Sequence, residues 1–346
     1  MIRSLTMTMI MVRRKFSGLL LLAALGGNAA ALGGNATAQE QAVTGYSVDD
    51  RAIDESSGLA ASRSFPGCWW THNDSGDRAR LFLLEKLPAA LPAASSASPA
   101  PPGSPEPHRS TEAERGLLRA RAVEIPGADA EDWEDMCSAR IDGRNVLWIG
   151  DIGDNGSRRE HVVIYRVEEP SPSQEPGATN DLRLKLAGKW RVCYEDGPRD
   201  CEGLAFDPVR QEMLLVAKTR LPFAGVYRIA GEDLQNPQRS EAIVATRIGT
   251  VAIPMVTAID IREDGLQLAV CTYFNRCLYD RRPEESWQEA LQRAPRVSTL
   301  PPLKQIEAIA YDLQGRLWVT SERAPMPLQR VDDAAANNEQ QPAHED

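Results

Sequence analysis

A short acidic segment that leads into an apolar strand recurs along this 346-residue chain and limits its fold more than any other feature. The clearest copy is DCEGLAFDP at residues 200–208, and related copies are DWEDMC at 132–137 and EAIAYD at 307–312. Each copy is followed by further short apolar segments, and the 25 glycines and 24 prolines supply turns between them. The pattern predicts a fold built from repeated groups of short β-strands.

Comparable first-strand positions are Ser57, Glu134, Glu202, Thr257 and Glu307. Their spacings are 77, 68, 55 and 50 residues, and the first becomes 49 without the segment 88–115, which we interpret as an insertion. The repeat is therefore close to 50 residues. Repeats of about 40–50 residues with four antiparallel strands are typical of β-propellers. We therefore predict an all-β fold, a β-propeller of five four-stranded blades, with six blades as the alternative. Residues 42–48 form an isolated predicted strand that would complete the last blade and close the ring.

The N-terminal segment has the features of a signal peptide. A basic stretch at residues 13–15 precedes an apolar run at 17–32 and the Ala-Thr-Ala sequence at 36–38. We predict that residues 1–38 are removed and that the mature protein is periplasmic or secreted, with an uncleaved anchor as the alternative. Residues 39–331 are expected to form one domain with a disordered insertion at 88–115, followed by a disordered tail at 332–346.

The net charge of the chain limits the classes of partner that it can bind. The formal charge is -10, and the predicted signal peptide contains basic side chains but no acids. The mature chain is therefore more acidic still, which disfavours nucleic acid and anionic membranes as partners. We expect a monomer that acts on a small-molecule or polymeric substrate and has the charge to bind cations.

The chain contains six cysteines, an even number that favours disulfides in an exported protein. The pairing with the shortest loops joins Cys193 to Cys201 and Cys271 to Cys277, which leaves Cys68 and Cys137 to pair with each other. Sequence alone also permits the other connectivities.

Strand direction predicts where the chemistry lies. In an up-and-down blade, the start of the first strand and the end of the second lie on the same face. The polar residues expected on that face are Glu55, His72, Asn73, Asp74, Asp132, Glu134, Asp151, Asp154, Asn155, Asp200, Glu202, Lys218, Glu307 and Glu322. Converging carboxylates repel one another, and a divalent cation relieves this repulsion. Oxygen ligands favour Ca²⁺ over zinc. The alternative is that these acids are turn caps and solvated loop groups.

Four residues are candidates for catalytic or substrate-binding roles. His72 and Asp132 are candidate proton acceptors, although a single histidine also fits a purely structural role. Lys218 and Arg220 could hold an anionic substrate or form salt bridges with nearby acids. The sequence contains no Gly-x-Ser-x-Gly, P-loop or dinucleotide-binding fingerprint.

Five segments resemble a group of exported bacterial propellers related to β-propeller phytases and to the "esterase-like activity of phytase" proteins. They are ESSGL at 55–59, HNDSG at 72–76, DWED at 132–135, GDIGDN at 150–155 and DCEGL at 200–204. The resemblance implies Ca²⁺ in the channel, with Glu134, Asp151, Glu202 and Glu307 as ligands, and hydrolysis by a metal-bound water. Phytases also use a set of basic residues, of which only Lys218 and Arg220 are evident here. SMP-30-type lactonases are similar in the Glu-Gly strand start and a single channel metal.

The sequence therefore predicts a Ca²⁺-dependent hydrolase of phosphoester, ester or lactone bonds. The alternative is a propeller without catalytic activity that binds a glycan, a peptide or a partner protein.

Overall fold

Apolar residues that alternate or run together between turns fold into strands throughout the described chain. A computed structural model describes residues 45–87, 116–171, 182–237 and 239–331. Its described residues belong to one compact unit and contain twenty strands, one 3-10 turn (Gly231–Gln235) and one short α-helix, α1 (Trp287–Ala290). The strand predicted at residues 42–48 is present over its described part, Gly45–Val48. The prediction of an all-β fold is confirmed.

After β1 (Gly45–Val48), the strands form successive antiparallel meanders. The first meander contains β2 (Ser56–Ala61), β3 (Trp69–Asn73), β4 (Arg80–Lys86) and β5 (Gly116–Glu124). The second contains β6 (Trp133–Ile141), β7 (Arg144–Asp151), β8 (Val162–Glu168) and β9 (Lys185–Tyr194). The third contains β10 (Cys201–Asp207), β11 (Glu212–Ala217), β12 (Ala224–Ile229) and β13 (Ile243–Val251).

The fourth meander contains β14 (Val256–Ile261), β15 (Gln267–Thr272), β16 (Asn275–Asp280) and β17 (Arg296–Thr299). The last contains β18 (Ile306–Tyr311), β19 (Leu317–Ser321) and β20 (Met326–Val331), and β1 pairs with β20 in antiparallel orientation. The predicted contribution of the N-terminal strand to the last group is therefore confirmed.

Two parallel pairings link meanders into larger sheets. Strand β1 pairs in parallel with β5, and β13 pairs in parallel with β9. The result is two eight-stranded sheets and one four-stranded sheet. The first strands contact one another in the order β2, β6, β10, β14 and β18, and β18 returns to β2. Apolar cores fill the spaces between neighbouring meanders, which is the architecture of a β-propeller.

Every first strand contains a register shift against its second strand. The shifted residues are Ser57, Glu134 with Asp135, Glu202, Thr257 and Glu307. These are the positions at which the sequence repeats align. A β-bulge breaks the alternation of side chains and re-aims the extra residue. The recurring acids therefore lie at bulges in the innermost strands.

All six cysteines are free thiols in this structure, so the three predicted disulfides are not formed. Cys271 packs in the core between the fourth and last meanders, whereas Cys277 packs in the core between the third and fourth. Successive strand residues face opposite sides of a sheet. A short loop between two cysteines therefore does not place their sulfur atoms together.

The same reason separates the other two predicted pairs. Cys201 and Cys137 face the core between the second and third meanders, whereas Cys68 packs against the core between the first and second. Cys193 lies between Val192 and Tyr194, which both face the core between the second and third meanders. Its own side chain therefore faces the other side of β9.

Three predictions lie outside the described residues: the signal peptide at 1–38, the insertion at 88–115 and the tail at 332–346. In the part of the chain that the structure describes, no helix has the length and apolar character needed to cross a membrane.

Candidate metal and active site

Glu134 and Glu202 lie at bulges in the neighbouring first strands β6 and β10 and are almost completely buried. Oxygen atoms of Glu134, Asp200 and Glu202 all lie within 4.8 Å of one another, and so do those of Asp74, Asp132 and Glu134. Glu134 therefore joins two groups of acids from three meanders. We call these five residues the acidic cluster.

Burial and mutual repulsion raise the pKa values of several carboxyl groups in the acidic cluster. Burial, together with the nearby Glu202, raises the pKa of Glu134 well above its ordinary value. Burial raises the pKa of Glu202 to about 7, although Lys218 acts in the opposite direction. Burial and the carboxylates of Asp74 and Asp200 raise the pKa of Asp132 to about 6. The site therefore favours an added positive charge, which a proton or a cation can supply.

The donor set fits a hard cation. All five side chains offer carboxylate oxygens, which are the ligands that Ca²⁺ and Mg²⁺ prefer. When all five carboxylates are ionised, their charge together with that of Lys218 exceeds what a single divalent ion would neutralise. Glu134, Glu202, Asp132, Asp74 and Asp200 are thus the residues that could hold such an ion.

Lys218 supplies the one cationic side chain bound directly to the acidic cluster in the described residues. Its Nζ atom donates to Glu202 Oε1 at 2.8 Å and lies 5.6 Å from the centre of the Tyr273 ring. Burial lowers the pKa of Lys218, but the Glu202 carboxylate outweighs burial and the net effect raises that pKa. Lys218 is therefore fully charged, and it forms the predicted salt bridge. Arg220 is exposed and makes no contact with the cluster.

Glu307, Glu322 and Glu55 lie close enough to the acidic cluster to interact with it electrostatically. Burial raises the pKa of Glu307 to about 8, with further contributions from Glu202, Glu322 and Asp74. Burial also raises the pKa of Glu322 and of Glu55, and Asp74 contributes to both shifts. The predicted channel ligand Glu307 therefore interacts electrostatically with the acidic cluster but is not among the atoms that lie within 4.8 Å of one another.

Asp151 supports the site without belonging to the cluster. Its two oxygens accept hydrogen bonds from the backbone N–H groups of Asp132 at 3.1 Å and Glu131 at 3.3 Å. Arg159 Nη1 lies 2.9 Å from Asp151 Oδ1. Because these contacts fix the start of β6, Asp151 orients Asp132, whereas the resemblance implied that it is a metal ligand.

Asp154 has a similar supporting role. Its backbone N–H donates to Asp200 Oδ1 at 3.0 Å, and its Oδ2 accepts from the Arg159 N–H at 2.8 Å. Asn155, the next residue, is exposed. Of this predicted pair, only Asp154 contacts the acidic cluster, and it does so through its backbone.

Gly153 allows the carboxylates to approach the backbone. A Cβ atom at this position would lie 2.3 Å from Glu134 Oε1 and 2.5 Å from Asp132 Oδ2. Any larger residue would push both oxygens away. The signal for this residue in the sequence is the GDIGDN segment at 150–155, which places Gly153 beside the strand end.

His72 lies in the protein interior and is not positioned as a general base. It is completely buried, its ring packs edge-on against Trp133 at 5.4 Å, and its Nδ1 lies 2.9 Å from Asn73 O. Burial lowers the pKa of His72 to about 4, so the ring is neutral. The neighbouring Asn73 donates to Ala52 O and Asp77 Oδ2 and so holds the loop that carries Asp74.

Sequence reasoning missed Asp135, which lies beside Glu134 in the same bulge. Asp135 is completely buried, and its Oδ2 accepts from the backbone N–H of Leu204 on β10 at 2.9 Å and of Ile259 on β14 at 3.0 Å. Burial raises the pKa of Asp135 well above its ordinary value. This side chain therefore links three inner strands directly below the acidic cluster. In the sequence, the signal for Asp135 was its position next to Glu134, a predicted ligand.

Tyr273 and Arg159 were also missed. Tyr273 follows the end of β15, the second strand of its meander, as Lys218 follows β11. Strand direction alone could therefore have placed both on the same face. Arg159 has no comparable signal, because it lies in a loop after β7.

Comparisons with solved structures find similar proteins at low sequence identity. The Dos1 propeller shares 10% identity, with 80% of this chain and 68% of that chain covered and a TM-score of 0.34. A gluconolactonase from Xanthomonas campestris shares 14% identity over 82% of this chain and 88% of that chain, with a TM-score of 0.39. A hydrazine synthase from Kuenenia stuttgartiensis shares 9% identity over 76% of this chain and 60% of that chain, with a TM-score of 0.35. No family model and no curated protein match the sequence.

Proposed function

We propose that this protein is a Ca²⁺-dependent hydrolase that acts at the acidic cluster on an anionic substrate with a phosphoester, ester or lactone bond. The observation that carries the proposal is the position of Glu134, which joins two groups of buried carboxylate oxygens beside the charged Lys218. We also propose that the fold has five blades closed by β1 and that the protein acts in the periplasm or outside the cell, as its N-terminal sequence suggests.

The residues divide into two functional groups. Glu134, Glu202, Asp200 and Asp74 would hold the cation. When bound, Ca²⁺ supplies positive charge that polarises the scissile group and lowers the pKa of a water. Lys218 would bind negatively charged oxygens of the substrate, because its ammonium lies beside the cluster and is fully charged.

Asp132 is the proposed proton acceptor. It is half-buried, and its pKa of about 6 is close to the range in which a carboxylate accepts protons efficiently at neutral pH. The backbone contact to Asp151 holds it in place, and its carboxylate lies against Gly153. His72 is left out of the proposed mechanism because it is buried.

Cation binding is the first test. Isothermal titration with Ca²⁺ is expected to give one strong site in the native protein and binding at least about ten-fold weaker in Glu134→Gln, which removes the shared ligand. Glu160→Gln is the matched control, because Glu160 is exposed and lies outside the cluster. Equal Ca²⁺ affinity in all three proteins would contradict the proposed metal site.

Catalysis is the second test. Phosphomonoesters, carboxylic esters and lactones are screened with Ca²⁺ and with EDTA, and activity is expected only with Ca²⁺. Asp132→Asn is expected to retain Ca²⁺ binding in part and to lose most of the turnover. Strong Ca²⁺ binding without turnover of any class would favour the second candidate, a propeller that binds a ligand without catalysis. The burial of His72 favours that candidate.

A further inference from the structure

A polar cavity lies on the face of the propeller opposite the acidic cluster, between the second and third meanders. Its volume is about 430 Å³, and its lining includes Asp142, Trp148, Arg166, Phe206 and Gln211. Asp142 and Gln211 belong to the turns between first and second strands. These turns lie at the opposite ends of the strands from the acidic cluster.

Arg166 is held in this cavity by aromatic rings. Its guanidinium carbon lies 5.5 Å from the centre of the Trp148 ring and 5.1 Å from the centre of the Trp190 ring. Within the described residues, Arg166 forms no ion pair and no hydrogen bond, and most other arginines there have a carboxylate partner. The two ring contacts restrict the orientation of the planar guanidinium, whereas its N–H donors form no hydrogen bond within the described residues.

Trp148 provides an independent observation. Five other tryptophans donate their indole N–H to an oxygen: Trp70 to Glu169, Trp133 to Asp129, Trp190 to Asn236, Trp287 to Asp207 and Trp318 to Asp312. Trp148 is 1% exposed, and its Nε1 atom is buried without an acceptor in the described structure. A buried donor that lacks an acceptor is costly, by about 1–3 kcal/mol. The same side chain lines the cavity and packs against Arg166.

The lining defines the chemistry of a ligand. Arg166 offers paired donors that match a carboxylate. The rings of Trp148 and Phe206 stack on each other with centres 5.7 Å apart and are buried, so they support Arg166 from behind. Asp142 is the carboxylate on the lining and disfavours a second negative charge. Beyond the lining, Glu168 also faces Arg166 electrostatically, but Arg144 and Lys185 neutralise it. A singly charged carboxylate fits this arrangement better than a phosphate.

We propose that the cavity around Arg166 and Trp148 is a second binding site, which takes a small monocarboxylate. The carboxylate would accept hydrogen bonds from the guanidinium of Arg166. The site is separate from the acidic cluster and needs no cation. It can therefore be tested independently of the proposed hydrolase activity.

The test measures benzoate binding by ligand-observed NMR and calorimetry on the full chain. The native protein is expected to bind benzoate, and Arg166→Gln is expected to bind at least about ten-fold more weakly, since charged hydrogen bonds are lost. Arg78→Gln is the matched control, because it removes the same charge from an exposed position outside the cavity lining. Equal loss of binding in both variants would overturn the site.

Two further measurements keep the test independent of folding defects. Asp142→Asn is expected to strengthen benzoate binding, because it removes the opposing charge, and asparagine suits the left-handed backbone at this position (φ 49°). Glu202→Gln is expected to leave benzoate binding unchanged. Phosphate binding as tight as that of benzoate would contradict the preference for a single negative charge. Weaker binding in Asp142→Asn would contradict the role of charge.

Discussion

The Asp135 carboxylate on β6 accepts a hydrogen bond from the backbone N–H of Ile259 on β14 at 3.0 Å, across 124 residues of sequence. Strands β6 and β14 are not adjacent in the ring of first strands, because β10 lies between them. The same carboxylate oxygen accepts from Leu204 on β10. A single buried acid therefore holds three inner strands at the centre of the molecule.

Replacement of Asp135 by alanine is expected to lower the free energy of unfolding by about 2–5 kcal/mol. The change leaves the buried N–H groups of Leu204 and Ile259 without an acceptor, at about 1–3 kcal/mol each. Urea denaturation followed by tryptophan fluorescence measures this. The control is Asp129→Ala, since Asp129 is an exposed partner of Lys189 and its loss is expected to cost less than about 1 kcal/mol. Similar losses in the two variants would contradict the role of Asp135.

Stability without cations is expected to fall as the pH rises from about 4.5 to 8. Folding raises the pKa of Glu202 to about 7 and of Glu307 to about 8 from ordinary values of 4.5. The folded state therefore binds more protons than the unfolded state within this window, and the stability that these protons supply is lost as they dissociate. Thermal unfolding in EDTA at several pH values measures the slope.

Two changes are expected to flatten that slope. Glu307→Gln removes one of the titrating groups, and saturating Ca²⁺ replaces the protons of the cluster with another positive charge. Glu124→Gln, which alters an exposed acid paired with Arg78, is expected to leave the slope as it is. A melting temperature that rises steadily from pH 5 to pH 8 in EDTA would refute the linkage.

Gly153→Ala is expected to weaken Ca²⁺ binding at least about ten-fold, or about 1.4 kcal/mol. The added methyl group would overlap the positions of Glu134 Oε1 and Asp132 Oδ2. Gly156→Ala is the control, because a Cβ atom there meets only Arg158, with its nearest atom at 3.3 Å. Calorimetry compares the two, and unchanged Ca²⁺ affinity in Gly153→Ala would show that Glu134 Oε1 does not hold the ion.

Thiol titration is expected to give six free cysteines per denatured chain, because all six are unpaired. In the folded protein the reaction with a thiol reagent should be slow, since burial raises the pKa of Cys68 and Cys277 to about 11 and that of Cys201 to about 12. A count of four or fewer in the denatured, unreduced protein would mean that disulfides form.

The strands could be predicted from the sequence because each is a short apolar segment between turn residues. The aligned positions Ser57, Glu134, Glu202, Thr257 and Glu307 coincide with the bulges, but no bulge was predicted, because bulges have no sequence signature of their own. The grouping of Asp132, Glu134 and Glu202 followed from strand direction alone. These successes rest on local pattern and on the antiparallel order of the strands.

The failures have a common physical origin, since each depends on where a side chain points. Cysteine spacing predicts loop length, but Cys271 and Cys277 face opposite sides of their sheet. Asp151 carries the right charge at the right end of its strand, yet it turns to Arg159 and the backbone. His72 lies on the predicted strand end, but it faces Trp133 in the core. Strand order places residues on a face, and packing decides which of them meet.

The pairing of β1 with β20 has a consequence for biosynthesis. Gly45 pairs with Gln329, so the first described strand finds its antiparallel partner only when the last one has been synthesised. Until then the two strand edges that they will close stay open on the nascent chain. The final closure is therefore an event that follows translation of the whole domain.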